Sequence, residues 1–197
     1  MRKVTRIVGR VLPLDRADVD TDQIIPAHWL KRVSRTGYAE GLFESWRRDP
    51  SFVMNDARYE GAIILVAGPN FGCGSSREHA AWALEEAGFR AVVSAAFADI
   101  FRNNSLKIGL VPVEAPGDVV ARIMRAVQRD PALEVSVDVD RRVIEAPALG
   151  VSSPFALEDH ARWRLLEGLD DISLALRHEA DLSAYEARRP AWLPRVG

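Results

Sequence analysis

The chain has 197 residues and a mass of 21.8 kDa, a length that suits one domain with room for an appendage. Hydrophobic residues make up 48% and charged residues 27%, an ordinary globular composition that excludes a disordered or collagen-like chain. Lys and Arg (26) nearly balance Asp and Glu (28), so the electrostatic footprint of a nucleic-acid binder is missing and nothing invites anionic lipid.

A single cysteine, Cys73, rules out an internal disulfide framework and fits a reducing compartment. One thiolate cannot hold an iron–sulfur cluster, which takes about three or four, so any such cluster must be brought by another chain. No segment approaches the roughly 18 apolar residues of a membrane span. The N-terminal run has neither the apolar core nor the cleavage site of a signal peptide. The expectation is a cytoplasmic protein with no membrane or nucleic-acid partner.

In chain order, the β-branched stretch 4–14 reads as a strand ending at Pro13. Residues 15–22 form an acidic loop with Asp15, Asp18, Asp20 and Asp22. Residues 28–48 show no period of 2 or 3.6, and an irregular stretch of that length is usually functional or mobile. Its apolar members Trp29, Leu30, Val33, Tyr38 and Leu42 share no regular face, so mobility is expected for the loop His28 to Phe43.

From Gly61 the pattern sharpens. Residues 62–67 form a continuous apolar run suited to a strand buried on both faces. A loop over 69–74, a helix over 76–86, a strand over 91–94, a helix around 100–106 and a strand over 110–113 follow. That alternation is the sequence form of an α/β unit. An amphipathic helix over 119–128, a hairpin from 133–139 and 142–145, helices over 158–166 and 170–177, and a last one that starts at Ser183 and ends before Pro190 complete the reading.

The strongest local signal is Gly72-Cys73-Gly74-Ser75-Ser76-Arg77-Glu78-His79, placed where a buried strand turns into a helix. Free backbone N–H groups and the helix dipole favour an anion there, and Arg77 can clamp a carboxylate with two hydrogen bonds. The segment fails three familiar patterns. Arg77 replaces the third Gly of a dinucleotide fingerprint, a P-loop Lys-Ser/Thr pair is missing, and a nucleophile elbow would need a second Gly. Ser75-Ser76-Arg77-Glu78 also reads as a capping box with Ser75 as N-cap, which needs no ligand. A cap and an anion site are compatible.

Other residues carry weaker signals. His28, His79, His160 and His178 have no metal-ligand spacing, so no metal site is expected. Cys73 reads as a structural thiol rather than an activated thiolate. Asp20-Thr21-Asp22 can supply a carboxylate or simply form a turn, and Arg32 and Arg35 can reach an acidic substrate or stay solvated. The five tryptophans, at 29, 46, 82, 163 and 192, read as core or interface anchors.

Taken together, Asp20-Thr21-Asp22-Gln23-Ile24-Ile25-Pro26, Leu30 to Val33 with Arg35 to Gly37, Gly74 to His79, Phe97 to Asn104, Trp163 to Ile172 and Arg189 to Trp192 resemble the aconitase superfamily. Within it the chain is similar to the bacterial small subunits of 3-isopropylmalate dehydratase, over nearly its whole length. The resemblance implies an α/β fold, the swivelling β/β/α domain equivalent to the mobile last domain of aconitase. It spans residues 1–197, with a C-terminal helical extension from about 155.

The resemblance also implies a separate large subunit holding a [4Fe-4S] cluster, with none in this chain, and a small dicarboxylate substrate. The family chemistry moves a hydroxyl between adjacent carbons. An open iron acts as Lewis acid on the leaving hydroxyl while a base takes the neighbouring C–H proton. By resemblance Ser75 is that base, Ser76 and Arg77 bind a substrate carboxylate, Asp22 supports them, and Arg32 and Arg35 map onto a substrate-binding arginine. Cys73 stands where aconitase has an acidic residue and is given no catalytic role. The function implied is isomerisation of 2- and 3-isopropylmalate in leucine biosynthesis. Two alternatives remain: a sister subunit acting on homoaconitate or a methylmalate, and a non-catalytic anion-binding domain of the same fold.

Overall fold

The computed structural model describes residues 1–32, 34, 36–190 and 192–193. Strand β1 (Arg6–Leu14) leads to a single helical turn, α1 (Thr21–Ile24). Short 3₁₀ turns and a second single turn, α2 (Glu44–Arg47), precede β2 (Ile64–Ala67). Helix and strand then alternate through α3 (Glu78–Glu86), β3 (Ala91–Ser94), α4 (Asp99–Ile108), β4 (Val111–Glu114) and α5 (Gly117–Arg129). An antiparallel run follows, β5 (Glu134–Asp138), β6 (Val143–Ala146) and β7 (Val151–Pro154). Helices α6 (Asp159–Glu167), α7 (Asp171–Leu176) and α8 (Glu179–Ala187) come last.

The seven strands form one sheet in the order β4-β3-β2-β1-β5-β6-β7. Strands β1 to β4 are mutually parallel, and the β5 side is antiparallel. Strand β1 joins the two halves by dividing its own length. Arg6 to Arg10 pair with β5, whereas Val11 to Leu14 pair with β2. Pro13 lies in the half with a neighbour on one side only, where a missing N–H is tolerated.

The composition of each element explains its place. All four residues of β2 and of β3 are buried, as expected for parallel strands covered on both faces. Helix α5 buries Val120, Ile123, Met124 and Val127, an i, i+3, i+4, i+7 stripe that packs across β1, β2 and β3. Trp29, Trp46 and Trp82 are half-buried against the core, whereas Trp192 is 81% exposed among the described residues.

Four expectations need correction. Strand β7 is not expected from sequence, because Val151-Ser152-Ser153-Pro154 offers one apolar residue. It is an edge strand, where a buried Ser153 and a terminal Pro154 are acceptable. Helix α8 begins at Glu179, four residues before Ser183. Helix α3 begins at Glu78 with Arg77 as N-cap and no side-chain cap, so Ser75 is not a capping residue. Finally, the later half of the 28–43 stretch is anchored: Tyr38, Leu42 and Phe43 are buried despite the lack of a period. The 3₁₀ turn Tyr38–Gly41 buries Tyr38, whereas the turn Ala27–Lys31 buries no residue. Val33, Arg35 and Ala191 lie outside the described residues.

Candidate functional site

The parallel strands point their carboxyl ends to one edge of the sheet, the edge at which open α/β sheets place their ligands. Three loops leave from there: Asp15 to Asp20 after β1, Gly68 to Arg77 after β2, and Ala95 to Ala98 after β3. They are joined as if the sheet continued. Asp20 bridges Cys73 and Phe71 bridges Phe97, both in parallel sense. The Phe71 N–H donates to the Ala96 carbonyl (3.1 Å), and the Ala98 N–H donates to the Phe71 carbonyl (3.1 Å).

The first two loops are also held by side chains. Asp20 caps α1 by accepting from the Gln23 N–H (2.8 Å), and the Gln23 side-chain oxygen accepts from the Asp20 N–H (3.0 Å). The capping box of this region is therefore at Asp20-Thr21-Asp22-Gln23. The α1 turn presents Thr21 and Asp22 to the second loop. Thr21 donates its N–H to the Cys73 carbonyl (2.9 Å) and its hydroxyl to the Ser75 carbonyl (2.8 Å). The Arg77 guanidinium grips both oxygens of Asp22, one of them through Nη2 at 2.8 Å. Arg77 is only 13% exposed at its side chain, while Asp22 is 54% exposed.

Ser75 and Ser76 are both exposed on the turn just ahead of α3. A cavity of about 270 Å³ opens beside them, lined by Thr21, Ser75, Arg77 and, from the start of α4, Asp99 and Ile100. Gly72 makes the close approach possible: its φ is +79°, and a Cβ there would overlap the Phe101 ring. Phe101 in turn meets Phe71 edge-on, with ring centres 5.2 Å apart. Thus the Phe97 to Asn104 segment forms the wall behind the Ser75 turn.

The structure brings Asp22, Ser75, Ser76 and Arg77 to one place. Arg32 is engaged on its own loop, donating to the Gly37 carbonyl (2.6 Å) with its guanidinium 4.8 Å from the centre of the Trp29 ring. Arg35 lies outside the described residues. Thr21, Asp99 and Ile100 are not singled out for this site by sequence. The D-x-x-Q spacing of Asp20 to Gln23 is the available signal for Thr21.

Two groups at the site have shifted proton affinities. Burial pushes the Cys73 thiol up, and the carboxylates of Asp20 and Asp18 add to the effect. His79, on the first turn of α3, is held below its ordinary value by burial and is neutral at pH 7. It packs against Trp82 (4.6 Å between centres) and Tyr38 (5.1 Å). Among the described residues no group of three His, Cys, Asp or Glu converges on a metal-sized point. No helix there is long and apolar enough to cross a membrane.

Comparison with known proteins places the chain in a family. The model of the aconitase C-terminal domain matches residues 1–118, and that of the C-terminal domain of the 3-isopropylmalate dehydratase small subunit matches residues 171–196. The chain is 57% identical to the 3-isopropylmalate dehydratase small subunit of Parafrankia sp., over 98% of each chain. It is 55% identical to that of Streptomyces coelicolor, over 100% of this chain and 98% of the relative. The crystal structure of 3-isopropylmalate dehydratase from Methanocaldococcus jannaschii is similar with a TM-score of 0.66 and 27% identity, covering 91% of this chain and 99% of that one.

The raised thiol affinity of Cys73 gives a direct test. Less thiolate is present at any given pH than in a free cysteine, so alkylation by iodoacetamide at pH 8 should be slower than that of a model peptide. The rate should also keep rising with pH beyond the point where the peptide levels off. Peptide-like kinetics, followed by mass spectrometry, would contradict the assigned environment.

Proposed function

Because the chain belongs to the small-subunit family of 3-isopropylmalate dehydratases within the aconitase superfamily, we propose that it isomerises 2- and 3-isopropylmalate in complex with a large subunit. The observation that carries the proposal is the Ser75-Ser76-Arg77 turn, tied to Thr21 and Asp22 at the mouth of a cavity. The fold is the α/β swivel type of the aconitase C-terminal domain. We read residues 1–197 as one such unit with a helical extension from about 155, acting in the cytoplasm on the leucine pathway. A [4Fe-4S] cluster does not fit this chain's donor set, which has one cysteine. In this reading the cluster belongs to the large subunit, and this chain supplies the base and the carboxylate recognition.

The donor count at Arg77 shows how recognition can work. A guanidinium has five N–H groups. Asp22 takes one from each terminal nitrogen, and the Ile25 carbonyl lies 3.4 Å from Nη1. The side edge formed by Nε and the second Nη2 proton remains for a substrate carboxylate. Asp22 thus fixes the guanidinium plane while leaving its other edge open. Ser76, next on the turn, adds a hydroxyl to the same carboxylate, and Arg32 and Arg35 belong to the loop that meets the rest of the substrate.

Ser75 acts as the base. Its Oγ, as alkoxide, takes the proton from the carbon beside the hydroxyl-bearing one while the neighbouring C–O bond breaks and the hydroxyl leaves, giving the alkene. On rehydration the proton and a hydroxyl add back with their carbons exchanged, which is the isomerisation. A free hydroxyl holds its proton far too tightly for this role. The cationic Arg77 and the uncapped N–H groups at the start of α3 are the stabilisers at hand for an alkoxide.

The test is reconstitution with a cluster-loaded large subunit, followed by assay on 3-isopropylmalate, homoaconitate and citramalate. Ser75→Ala should lower kcat by at least about 100-fold, the scale of general base catalysis. Since Ser75 is exposed and caps nothing, thermal stability should stay within about 0.5 kcal/mol of wild type. Turnover near wild type would reduce Ser75 to a loop residue. No turnover of any substrate by the wild-type complex would favour a non-catalytic domain.

Arg77→Lys should cost about 100-fold in kcat/KM, because a lysine cannot bridge Asp22 and a carboxylate from two edges. An unchanged kcat/KM would place Arg77 outside the substrate site.

A further inference from the structure

The α3 helix ends in a way that its own local chemistry does not explain. Glu85 and Glu86 occupy its last turn, with no basic residue there to offset them. Carboxylates at a helix C-terminus oppose the macrodipole. Glu85 reaches Arg2 (3.4 Å). Glu86 turns to the 28–43 stretch, where one oxygen, Oε2, accepts from three successive backbone N–H groups: Gly37 (2.9 Å), Tyr38 (2.6 Å) and Ala39 (3.2 Å).

Those three groups begin the 3₁₀ turn Tyr38–Gly41, whose N-cap, Gly37, has no side chain to satisfy them. Gly37 sits at φ +90°, a conformation that favours glycine. Glu86 is therefore a cap supplied from another element, and a charged one. On the other side of the same residue, the Gly37 carbonyl accepts from Arg32. Tyr38 adds a second hold: its ring is buried on His79 and Trp82, and its hydroxyl donates to the Ser34 carbonyl (3.0 Å).

We propose that Glu86 is a positioning residue that fixes the Arg32 loop to α3, the helix whose N-cap is Arg77, so that substrate discrimination and the catalytic turn share one rigid support. The proposal rests on the dehydratase reading above for what the loop discriminates. The contact itself does not depend on that reading. Glu86 touches no substrate; it acts through Gly37 on Arg32.

The experiment has two arms. In the free chain, hydrogen exchange of the Gly37, Tyr38 and Ala39 amides should speed up at least tenfold in Glu86→Gln, whose neutral oxygen cannot hold three donors as a carboxylate does. Glu85→Gln is the control and should leave those amides unchanged. Circular dichroism confirms that both variants fold.

In the complex with the large subunit, Glu86→Gln should raise KM for 3-isopropylmalate about tenfold. Its preference for isopropylmalate over citramalate, which carries methyl in place of isopropyl, should fall by a similar factor. Its kcat should stay within about threefold, unlike that of Ser75→Ala. Glu86→Asp, one methylene shorter, should not restore the preference. Wild-type exchange rates in Glu86→Gln, or an active complex whose KM and preference ignore the substitution, would overturn the proposal. An inactive wild-type complex would overturn the dehydratase reading and the positioning role with it, while the exchange arm would still report on the contact.

Discussion

The site depends on a lateral constraint between loops rather than on any single side chain. Three loops leave adjacent parallel strands, and each is bonded to its neighbour beyond the end of the sheet, at Asp20–Cys73 and at Phe71–Phe97. Loops are usually the mobile part of a fold. Here the backbone of one satisfies the backbone of the next, so the Ser75 turn takes its position from β1 as well as from β2. The Thr21 hydroxyl on the Ser75 carbonyl and Asp22 on Arg77 are short-range refinements of that frame.

The frame also assigns distinct work to the polar groups. An exposed ion pair contributes about 0–1 kcal/mol, and Asp22 is more than half exposed. Its pairing with Arg77 is thus a weak source of stability and a strong source of orientation, since two parallel bonds fix a plane. The apolar wall behind it is of the opposite kind. Phe71 and Phe101 are buried and meet edge-on, and Gly72 lets them lie directly under the turn. Rigidity comes from the aromatics and direction from the charges.

Much of this is legible in the sequence because the α/β half is written in unbroken apolar runs. The run 62–67 contains the buried strand β2, which starts at Ile64, and 91–94 is β3; their spacing locates the turn that carries Ser75. The capping boxes show where local reading stops. Ser75-Ser76-Arg77-Glu78 and Asp20-Thr21-Asp22-Gln23 both have the S/D-x-x-E/Q form, but only the second is formed. The difference is tertiary: Thr21 holds the Ser75 carbonyl and Asp22 holds Arg77, which draws the chain out before α3 can begin. The 28–43 stretch is opaque for a related reason. The first donors of its second 3₁₀ turn are satisfied by Glu86, some fifty residues away, so no local period records the burial of Tyr38 and Leu42.

The last constraint concerns what the chain lacks in depth. Ser75 and Ser76 are exposed, and the cavity beside them is a small open one shared with the start of α4. A hydroxyl in water keeps its ordinary proton affinity, and fixed dipoles gain strength only where water is excluded. The donors around Ser75 are therefore arranged for a setting that this chain does not close by itself. Under the proposed function, a large subunit laid over this edge of the sheet would supply the missing condition by covering the turn. On that view the bonded loops serve a surface that must arrive already formed. On the proposed reading a partner would exclude water, while this chain alone already holds Ser75, Arg77 and Asp22 in their relative positions through the bonds of Thr21 and Asp22.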